Sequence, residues 1–465
     1  MILSPPICNV DVSSCLSDRG EFGQPGSGER SRLARRPERI LALSRPCTFF
    51  SAAAGRLDPA GTGRYGPAMR LLYIHDRLSS RGGADWHLLS LLDSLPAGIE
   101  RTCLFGRDDG SAPAGFSPWE RILFLPDLDR KALFARQERV IEALARTLKA
   151  LRPHLIHVHN ILHPGFLETI RQAGPPVVMT VQDHRFFCPG RGKVREDRSA
   201  CRAIFGPNCS RCFREEAYFL SMMDLVRARL AALKGFDALI TLSAYMREEL
   251  VRVGLPSEKI TVIPPFVHGL GDERTLEAAG MAGRGEAILY LGRLTWTKGV
   301  FDLLEALTLM PGHAPLIVAG SGPAEPAFRD RVKELGLGNR VRFEGWVPHP
   351  DLARVFAQAR LLALPSLWQE PFGLAGLEAL SLARPVVAYA GGGVSEWLDH
   401  GRSGLLATSG GVAGLAQAMT RLLDRPALAE RMGRAGREAA AARFGRGRLM
   451  ERLLGVYRGL LQKSA

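Results

Sequence analysis

The 465-residue sequence contains no continuous apolar run near the roughly 18 residues that a transmembrane helix needs, so none is expected. It also lacks an RNA-recognition signature and any basic stripe interleaved with aromatic residues, which disfavours nucleic acid as a partner. The apolar stretch at 40–55 is interrupted by Arg45 and Pro46, and such a stretch is too broken for a secretory signal. What remains is a globular protein whose 46% hydrophobic residues can bury sizeable cores.

The charge balance indicates the kind of partner. The formal net charge is +14, and a strongly basic chain favours anionic partners such as nucleotides, phosphorylated lipids or membrane surfaces. The length alone predicts two or three domains.

Residues 1–68 differ from the rest of the chain. They are rich in Pro, Gly, Ser and Arg without helical or strand periodicity, a composition typical of disorder. The segment AMRLLYIHD that follows has the pattern of a first strand. We therefore expect either that Met69 is the true start, with 1–68 an upstream extension, or that 1–68 is a genuine flexible tail.

From Met69 onward, apolar strands alternate with amphipathic helices, which predicts parallel sheets covered on both faces. A weakly apolar linker at 268–286 separates two such sets. We predict an α/β fold of two Rossmann-like, doubly wound domains facing a cleft, at 69–267 and 287–445, followed by a C-terminal helix at 446–465 that packs back on the N-terminal domain. The predicted strands are 71–75, 155–160, 176–181, 237–242, 259–264, 287–292, 315–320, 341–345, 360–365, 385–390 and 403–407.

Glycines and charges stand at several predicted strand ends, where ligands bind in such sheets. Gly83 follows the first strand and could bring backbone N–H groups to an anion, although a simple turn explains it equally well. In the second domain, Gly292 is followed by Arg293 and Lys298, two cations suited to a diphosphate. The segments VAGSGP, with Gly320 and Gly322, LPSLWQEPFGL and YAGGG add three further loops. Together they predict a nucleotide-type ligand.

Two carboxylates, Glu370 and Glu378, flank one of these loops. Pro371 and Gly373 should keep Glu370 outside the following helix, while Glu378 lies about one turn inside it. Both can then face the cleft, where carboxylates accept hydrogen bonds from vicinal hydroxyls and the helix N-terminus offers donors to phosphate. A hydrolytic acid/base pair is a poorer interpretation, because hydrolysis needs no diphosphate cradle.

These motifs resemble those of the retaining glycosyltransferases of family 4, which have the GT-B fold. The resemblance covers roughly residues 69–463 and is carried by GRLTWTKGVFDLLEA, AGSGP, LPSLWQEPFGLAGLEAL with its E-x7-E pattern, and GGGVSEWLDHGRSGLL. It implies a hexosyltransferase that uses a nucleotide-activated sugar and needs no catalytic metal. By match to the motifs, Arg293 and Lys298 should bind the donor diphosphate, Glu370 the sugar hydroxyls and Glu378 the ribose. The implied donor contacts also include Gly83, Phe372, Gly373 and Leu374.

The sequence departs from this family at one strand end. Relatives often read T-x-H-D where this chain reads TVQD, so that Gln182 stands in place of the histidine. Either the Gln182 amide replaces that histidine at the sugar, or His184 takes over, or His184 is an ordinary loop residue. His159 and Asn160 at the end of another strand are further candidate sugar or acceptor contacts.

Four of the eight cysteines cluster in a basic loop. Cys188, Cys201, Cys209 and Cys212 have the spacing C-x12-C-x7-C-x2-C, and the final pair has the short spacing of structural zinc sites. We expect a structural zinc ion here, with reduced or redox-labile thiols as the alternative.

The acceptor is the least readable feature. A basic helix predicted at 222–236 could lie on anionic lipid, but such a pattern more often belongs to an ordinary amphipathic surface helix. We expect a UDP- or GDP-sugar donor and a glycan or lipid-linked acceptor in polysaccharide or glycolipid synthesis, in the cytoplasm at the inner face of the cytoplasmic membrane. The alternatives are a nucleotide-sugar epimerase of the same fold and a non-catalytic sugar-nucleotide binding protein.

Overall fold

The protein is described by a computed structural model that covers residues 69–113, 117–267, 285–310, 312 and 314–464. The expectations for residues 1–68 and for most of the linker at 268–286 lie outside these residues.

The N-terminal domain is built on a seven-stranded sheet with the strand order β3-β2-β1-β4-β5-β6-β7. All of its strand pairs are parallel. Its strands are β1 (Met69–His75), β2 (Ile99–Phe105), β3 (Arg121–Phe124), β4 (Leu155–His159), β5 (Val177–Val181), β6 (Ala238–Thr241) and β7 (Ile260–Val262). Its helices are α1 (Gly83–Asp93), α2 (Gln137–Leu151), α3 (Pro164–Arg171), α4 (Glu216–Lys234) and α5 (Ala244–Arg252).

The C-terminal domain is built on a six-stranded parallel sheet with the order β10-β9-β8-β11-β12-β13. Its strands are β8 (Ala287–Leu291), β9 (Leu316–Ala319), β10 (Val341–Gly345), β11 (Ala359–Leu364), β12 (Val386–Tyr389) and β13 (Gly404–Ala407). Its helices are α6 (Val300–Thr308), α7 (Glu325–Glu334), α8 (Leu352–Ala357), α9 (Leu374–Ser381), α10 (Val412–Leu423) and α11 (Pro426–Phe444), and the chain ends in α12 (Arg446–Ser464). The predicted pair of doubly wound α/β domains is confirmed.

The predicted strands agree with the structure to within about two residues, but β2 and β3 were missed. Strand β2 carries Glu100 and Arg101 among its seven residues, and β3 is a four-residue strand at the edge of its sheet. Neither gives the continuous apolar run that marks a strand buried on both faces.

The two domains are joined by polar contacts as well as by the chain. The Glu396 carboxylate of the C-terminal domain accepts hydrogen bonds from the backbone N–H groups of Ala244 and Tyr245, both at 2.9 Å. Both N–H groups lie in the first turn of α5 and have no partner within the helix, so the Glu396 carboxylate satisfies them at a helix end where a negative charge is stabilising. Ser243 Oγ donates to the carbonyl of Pro371 at 2.5 Å.

Helix α12 lies against the N-terminal sheet. The Tyr457 hydroxyl, which is fully buried, is 3.0 Å from the Tyr73 hydroxyl and 2.6 Å from His157 Nδ1. Arg452 donates to the carbonyl of Val262 at 2.6 Å. The end of the chain is therefore fixed to β1, β4 and the end of β7.

Helix α4 is the basic helix of the sequence analysis. Its Arg229 is buried and donates to the backbone carbonyls of Leu162, Arg185 and Lys131. That side chain is therefore directed into the domain rather than toward a lipid surface. Within the part of the chain that is described, every helix is too short or too polar to cross a membrane.

Candidate functional site

A cleft of about 600 Å³ lies between the carboxyl ends of the strands of both sheets. This is the edge where ligands bind in parallel α/β sheets. The predicted residues that line it are Gly83, Gln182, Gly292, Arg293, Lys298, Gly320, Gly322, Glu370, Phe372, Gly373, Leu374 and Glu378. The structure therefore brings together residues that are almost three hundred positions apart in the sequence.

Two glycine turns in the C-terminal domain form part of one wall of the cleft. Gly320 has φ +141°, and a Cβ there would lie 2.0 Å from the carbonyl oxygen of Gly292. A Cβ on Gly322 would lie 2.4 Å from the carbonyl oxygen of Leu294. Only glycine allows the ends of β8 and β9 to approach this closely.

Lys298 and Glu370 form an ion pair inside the cleft. Lys298 Nζ is 2.6 Å from Glu370 Oε1, and Ser366 Oγ donates to the same oxygen at 2.6 Å. The Glu370 carboxylate is buried, whereas Lys298 is partly exposed to the cleft. The lysine ammonium also lies 5.4 Å from the centre of the Trp368 ring, a cation–π contact. The ammonium is thus held in one position while its cleft-facing side can still meet an anion.

Glu378 lies in α9 and lines the same cleft. His349 Nε2 is 3.3 Å from Glu378 Oε1, and the His349 ring stacks on Trp86 with the ring centres 4.0 Å apart. Trp86 belongs to α1 of the N-terminal domain, so this stack joins the two domains beside the carboxylate. Both acids, Glu370 and Glu378, line the same cleft.

The N-terminus of α9 faces the glycine loop of the other domain. Gly373 precedes the helix with φ +96°, a left-handed conformation that favours glycine, and no side chain accepts a hydrogen bond at this cap. A Cβ on Gly83 would lie 3.7 Å from the Leu374 side chain, ordinary van der Waals contact. The first backbone N–H groups of α9 are therefore available to an anion in the cleft.

The N-terminal wall carries polar and basic side chains. Gln182 Nε2 donates to His87 Nδ1 at 3.1 Å, and burial lowers the pKa of His87 to about 4, so this ring is neutral and can accept. Arg81 lies over the Trp346 ring at 5.2 Å. Arg77 is 2.8 Å from Asp85 in the first turn of α1.

Three predicted contacts do not line the cleft. His159 is fully buried among the rings of Tyr73, His75, His87 and His157, because it points into the N-terminal core.

The other two are used within the N-terminal domain. His184 Nε2 is 2.9 Å from the Tyr245 hydroxyl, and burial lowers the histidine pKa to about 3. Asn160 accepts a hydrogen bond from Arg185 at 2.7 Å. Of the four candidate sugar or acceptor contacts, Gln182 alone is at the cleft.

The four clustered cysteines lie close together but not at coordination distance. Burial raises the pKa of the Cys212 thiol, and the neighbouring thiols Cys188, Cys201 and Cys209 raise it further. All four thiols are free. Within the described ranges, only His75, Asp76 and Asp85 bring three metal-ligating atoms within 4.8 Å of one another. The zinc prediction is therefore neither supported by a preformed tetrahedron nor tested by this structure.

Several cleft residues were not identified from the sequence. Arg77 and Arg81 lie in the loop after β1, whose basic character was visible in HDRLSSRGG. Trp346 and His349 follow β10, and Trp368 precedes Glu370. Aromatic residues at strand ends are a signal that could have identified Trp346, His349 and Trp368.

The comparisons with known proteins agree with this geometry. Residues 273–439 match the family described as "Glycosyl transferases group 1", and residues 81–268 match "Glycosyltransferase Family 4". The paired sheets and the strand-end cleft define the GT-B class of fold. The chain belongs to the family 4 glycosyltransferases.

Named relatives share part of the chain. Glycogen synthase of Mycobacterium tuberculosis is 36% identical over 213 residues, which are 45% of this chain and 50% of the relative. Alpha-D-kanosaminyltransferase of Streptomyces kanamyceticus is 32% identical over 174 residues, 37% of this chain and 45% of the relative. The chain thus spans about half the length of these curated relatives.

Solved structures share the fold over a greater length. The Anabaena protein HepE in complex with UDP-glucose superimposes with a TM-score of 0.65 at 19% identity, covering 84% of this chain and 100% of HepE. Sucrose-phosphate synthase from Thermosynechococcus elongatus gives 0.65 at 23% identity, covering 85% and 100%. At these identities the likeness establishes the fold.

Proposed function

We propose that this protein transfers a hexosyl group from a nucleoside diphosphate sugar to an acceptor hydroxyl, with retention of the anomeric configuration. The observation that carries the proposal is the Lys298–Glu370 pair, which lines a strand-end cleft together with two glycine turns and the N-terminus of α9. This arrangement combines a cation, a carboxylate that can accept hydrogen bonds from hydroxyl groups, and backbone N–H donors within one pocket.

The donor diphosphate fits the cationic wall. Arg293 is exposed on the loop after β8 and lines the cleft together with Lys298. Bound phosphate would accept hydrogen bonds from both side chains and from the backbone N–H groups of Phe372, Gly373 and Leu374. The backbone of Gly83 closes the opposite side.

The sugar and ribose fit the carboxylates. Glu370 has one oxygen engaged by Lys298 and Ser366, and its carboxylate retains acceptor capacity for sugar hydroxyls. Glu378, beside His349, would accept from the ribose hydroxyls. Gln182 Oε1 is buried at the cleft and accepts no hydrogen bond from the described residues, so it can accept one from the donor or acceptor sugar.

The chemistry follows from where charge develops. As the anomeric bond breaks, negative charge grows on the leaving diphosphate, and Arg293, Lys298 and the α9 N-terminus would stabilise it in place. The leaving phosphate oxygen then takes the proton of the acceptor hydroxyl, which attacks from the same face. In this mechanism no protein nucleophile and no metal cofactor is required.

The donor and acceptor are proposed by class. UDP- and GDP-sugars are the first candidates, and UDP-glucose leads because HepE was solved with it. We propose a glycan or lipid-linked acceptor in cell-surface polysaccharide or glycolipid synthesis, reached by peripheral association with the inner face of the cytoplasmic membrane. This last step is motivated by the net charge of +14.

A calorimetric panel of UDP-, GDP- and ADP-sugars tests donor binding. The proposal predicts measurable binding of one donor. The corresponding free nucleoside, which lacks the diphosphate, should bind much more weakly. No binding by any donor in folded protein, with and without candidate acceptors, would overturn it.

The two alternatives, an epimerase and a non-catalytic binding protein, predict different products when the protein is incubated with the donor. An epimerase would return donor with inverted sugar stereochemistry, visible in the proton NMR spectrum without any acceptor. A non-catalytic binding protein would return the donor unchanged under every condition.

A further inference from the structure

The loop at 188–212, named here the cysteine loop, is fixed to the N-terminal domain by a buried ion pair. Lys193 Nζ is 2.7 Å from Glu249 Oε2 in α5, and both side chains are less than one-tenth exposed. Lys193 also donates to the carbonyl of Ala203 at 2.6 Å, which ties two parts of the loop together. A buried pair of this kind is costly to separate.

The same loop reaches into the C-terminal domain. Val194 is buried and belongs to the C-terminal core cluster that contains Tyr290 and Leu294. Arg198 forms an ion pair with Asp302 of α6, a buried carboxylate that also accepts from the Tyr389 hydroxyl at 3.0 Å. The cysteine loop therefore connects the two domains and is not a free surface loop.

The cysteine loop touches the donor-side machinery. Gly192, with φ +68°, lies under the Trp368 ring, and a Cβ there would be 3.0 Å from ring carbons. Trp368 in turn lies against the ammonium of Lys298. Arg191 lies over the Trp296 ring at 5.5 Å, in the loop that carries Lys298. One residue layer thus separates the cysteine loop from the Lys298–Glu370 pair.

The thiols are concentrated at the base of this loop. A Cβ on Gly190 would be 3.2 Å from Cys212 Sγ, so the last cysteine packs against the turn that follows Cys188. Cys209 and Cys212 lie on one short helical turn at Pro207–Cys212, the C-x2-C spacing that lets two sulfurs bind one ion. Cys201 is held near them by its N–H bond to the carbonyl of Lys193, at 2.8 Å.

We propose that Cys188, Cys201, Cys209 and Cys212 bind one structural Zn²⁺ ion, which fastens the cysteine loop between the two domains and supports the loop of Lys298. Zinc holds four thiolates tetrahedrally at about 2.3 Å. No three of these four sulfurs lie within 4.8 Å of one another in the structure, so the loop must contract around the ion. Binding releases the thiol protons to solvent.

The metal is measured first, on the full-length protein purified without chelator. Elemental analysis should give about one zinc per chain, as a four-cysteine site requires. The double variant Cys209→Ser/Cys212→Ser should lose it, whereas Cys103→Ala, a buried cysteine outside the loop, should retain it. Wild type free of zinc, with reduced thiols or with disulfides between these cysteines, would overturn the proposal.

The bridging role has its own readout, independent of glycosyl transfer. Trypsin should cut the chelated protein between Arg191 and Arg198 but leave the zinc-loaded protein intact there, with the fragments identified by mass spectrometry. Arg198→Ala should keep its zinc yet become cleavable, because it loses the contact with Asp302. Equal cleavage with and without zinc would leave a metal site that does not fasten the loop, and would refute this part.

The expected effect of zinc on donor binding rests on the proposed function. Chelation should weaken donor binding by roughly tenfold, a loss of about 1.4 kcal/mol, and added Zn²⁺ should restore it. If zinc is bound and protects the loop while no donor binds, the proposed function fails and the metal site stands. If donor binding is unchanged by chelation, the link to Lys298 is wrong.

Discussion

Removal of the Lys298 ammonium tests the donor cradle at its centre. Lys298→Ala deletes one side of a 2.6 Å ion pair and leaves the buried Glu370 carboxylate facing the incoming diphosphate. A hydrogen bond to a charged group contributes about 1.5–3 kcal/mol. A loss of about 2 kcal/mol corresponds to a roughly 30-fold higher Kd for the donor, and the unpaired carboxylate should weaken binding further by repelling phosphate.

The assay is calorimetric titration with the donor that wild type binds. Lys333→Ala is the matched control, because Lys333 is exposed on α7 and pairs with Asp330 on the same helix. It should bind like wild type, and Lys298→Arg should lose less than Lys298→Ala because it keeps the charge. A Lys298→Ala protein that unfolds at the wild-type temperature and binds donor within about threefold of wild type would refute the reasoning.

Three further predictions concern stability. Tyr457→Phe should lower the free energy of unfolding by about 1–3 kcal/mol in urea titrations, because Tyr73 and His157 lose a buried partner. An unchanged unfolding midpoint would contradict the role given to α12. Burial lowers the pKa of His87 to about 4 and that of His157 to about 3, so the unfolded state binds more protons below about pH 6.5. Stability should therefore be fully present above that pH and fall as the pH drops toward 4, which urea titrations at stepped pH would measure; a flat profile would contradict it. Glu396→Gln should cost about 1 kcal/mol through the weakened cap of α5, seen as a lower thermal midpoint, whereas no change would show that the cap is dispensable.

Much of the fold could be predicted because parallel strands buried on both faces leave a strong apolar signal. Strand β8, AILYL, and strand β12, VVAY, are of this kind and were predicted within a residue or two. Strand β2 was missed because its first half, with Glu100 and Arg101, is only partly buried. Periodicity reports burial, so partly exposed edge regions give a weaker pattern.

The site was predicted where one loop carries it and missed where distant segments meet. Glu370 and Glu378 lie on consecutive elements, and their spacing predicted a shared cleft. The stack of Trp86 on His349 joins residues in different domains, and no local pattern marks such a pair. The histidines of β4 show the opposite failure, since their strand-end position indicated a ligand contact while packing turned His159 into the core.

The cysteine loop illustrates a third case. Its thiol spacing was visible in the sequence, but its contacts with Asp302 and Trp368 were not. Those contacts decide its meaning, because they connect a candidate metal site to the candidate donor site.

Turnover is the most direct test of the central claim. The measurement is release of nucleoside diphosphate from the donor identified by calorimetry, with and without a panel of glycan and lipid-linked acceptors. The account predicts release that depends on one acceptor class, a product that keeps the donor's anomeric configuration, and a loss of rate in Lys298→Ala. Release without any acceptor at the same rate, or a product of inverted configuration, would contradict it.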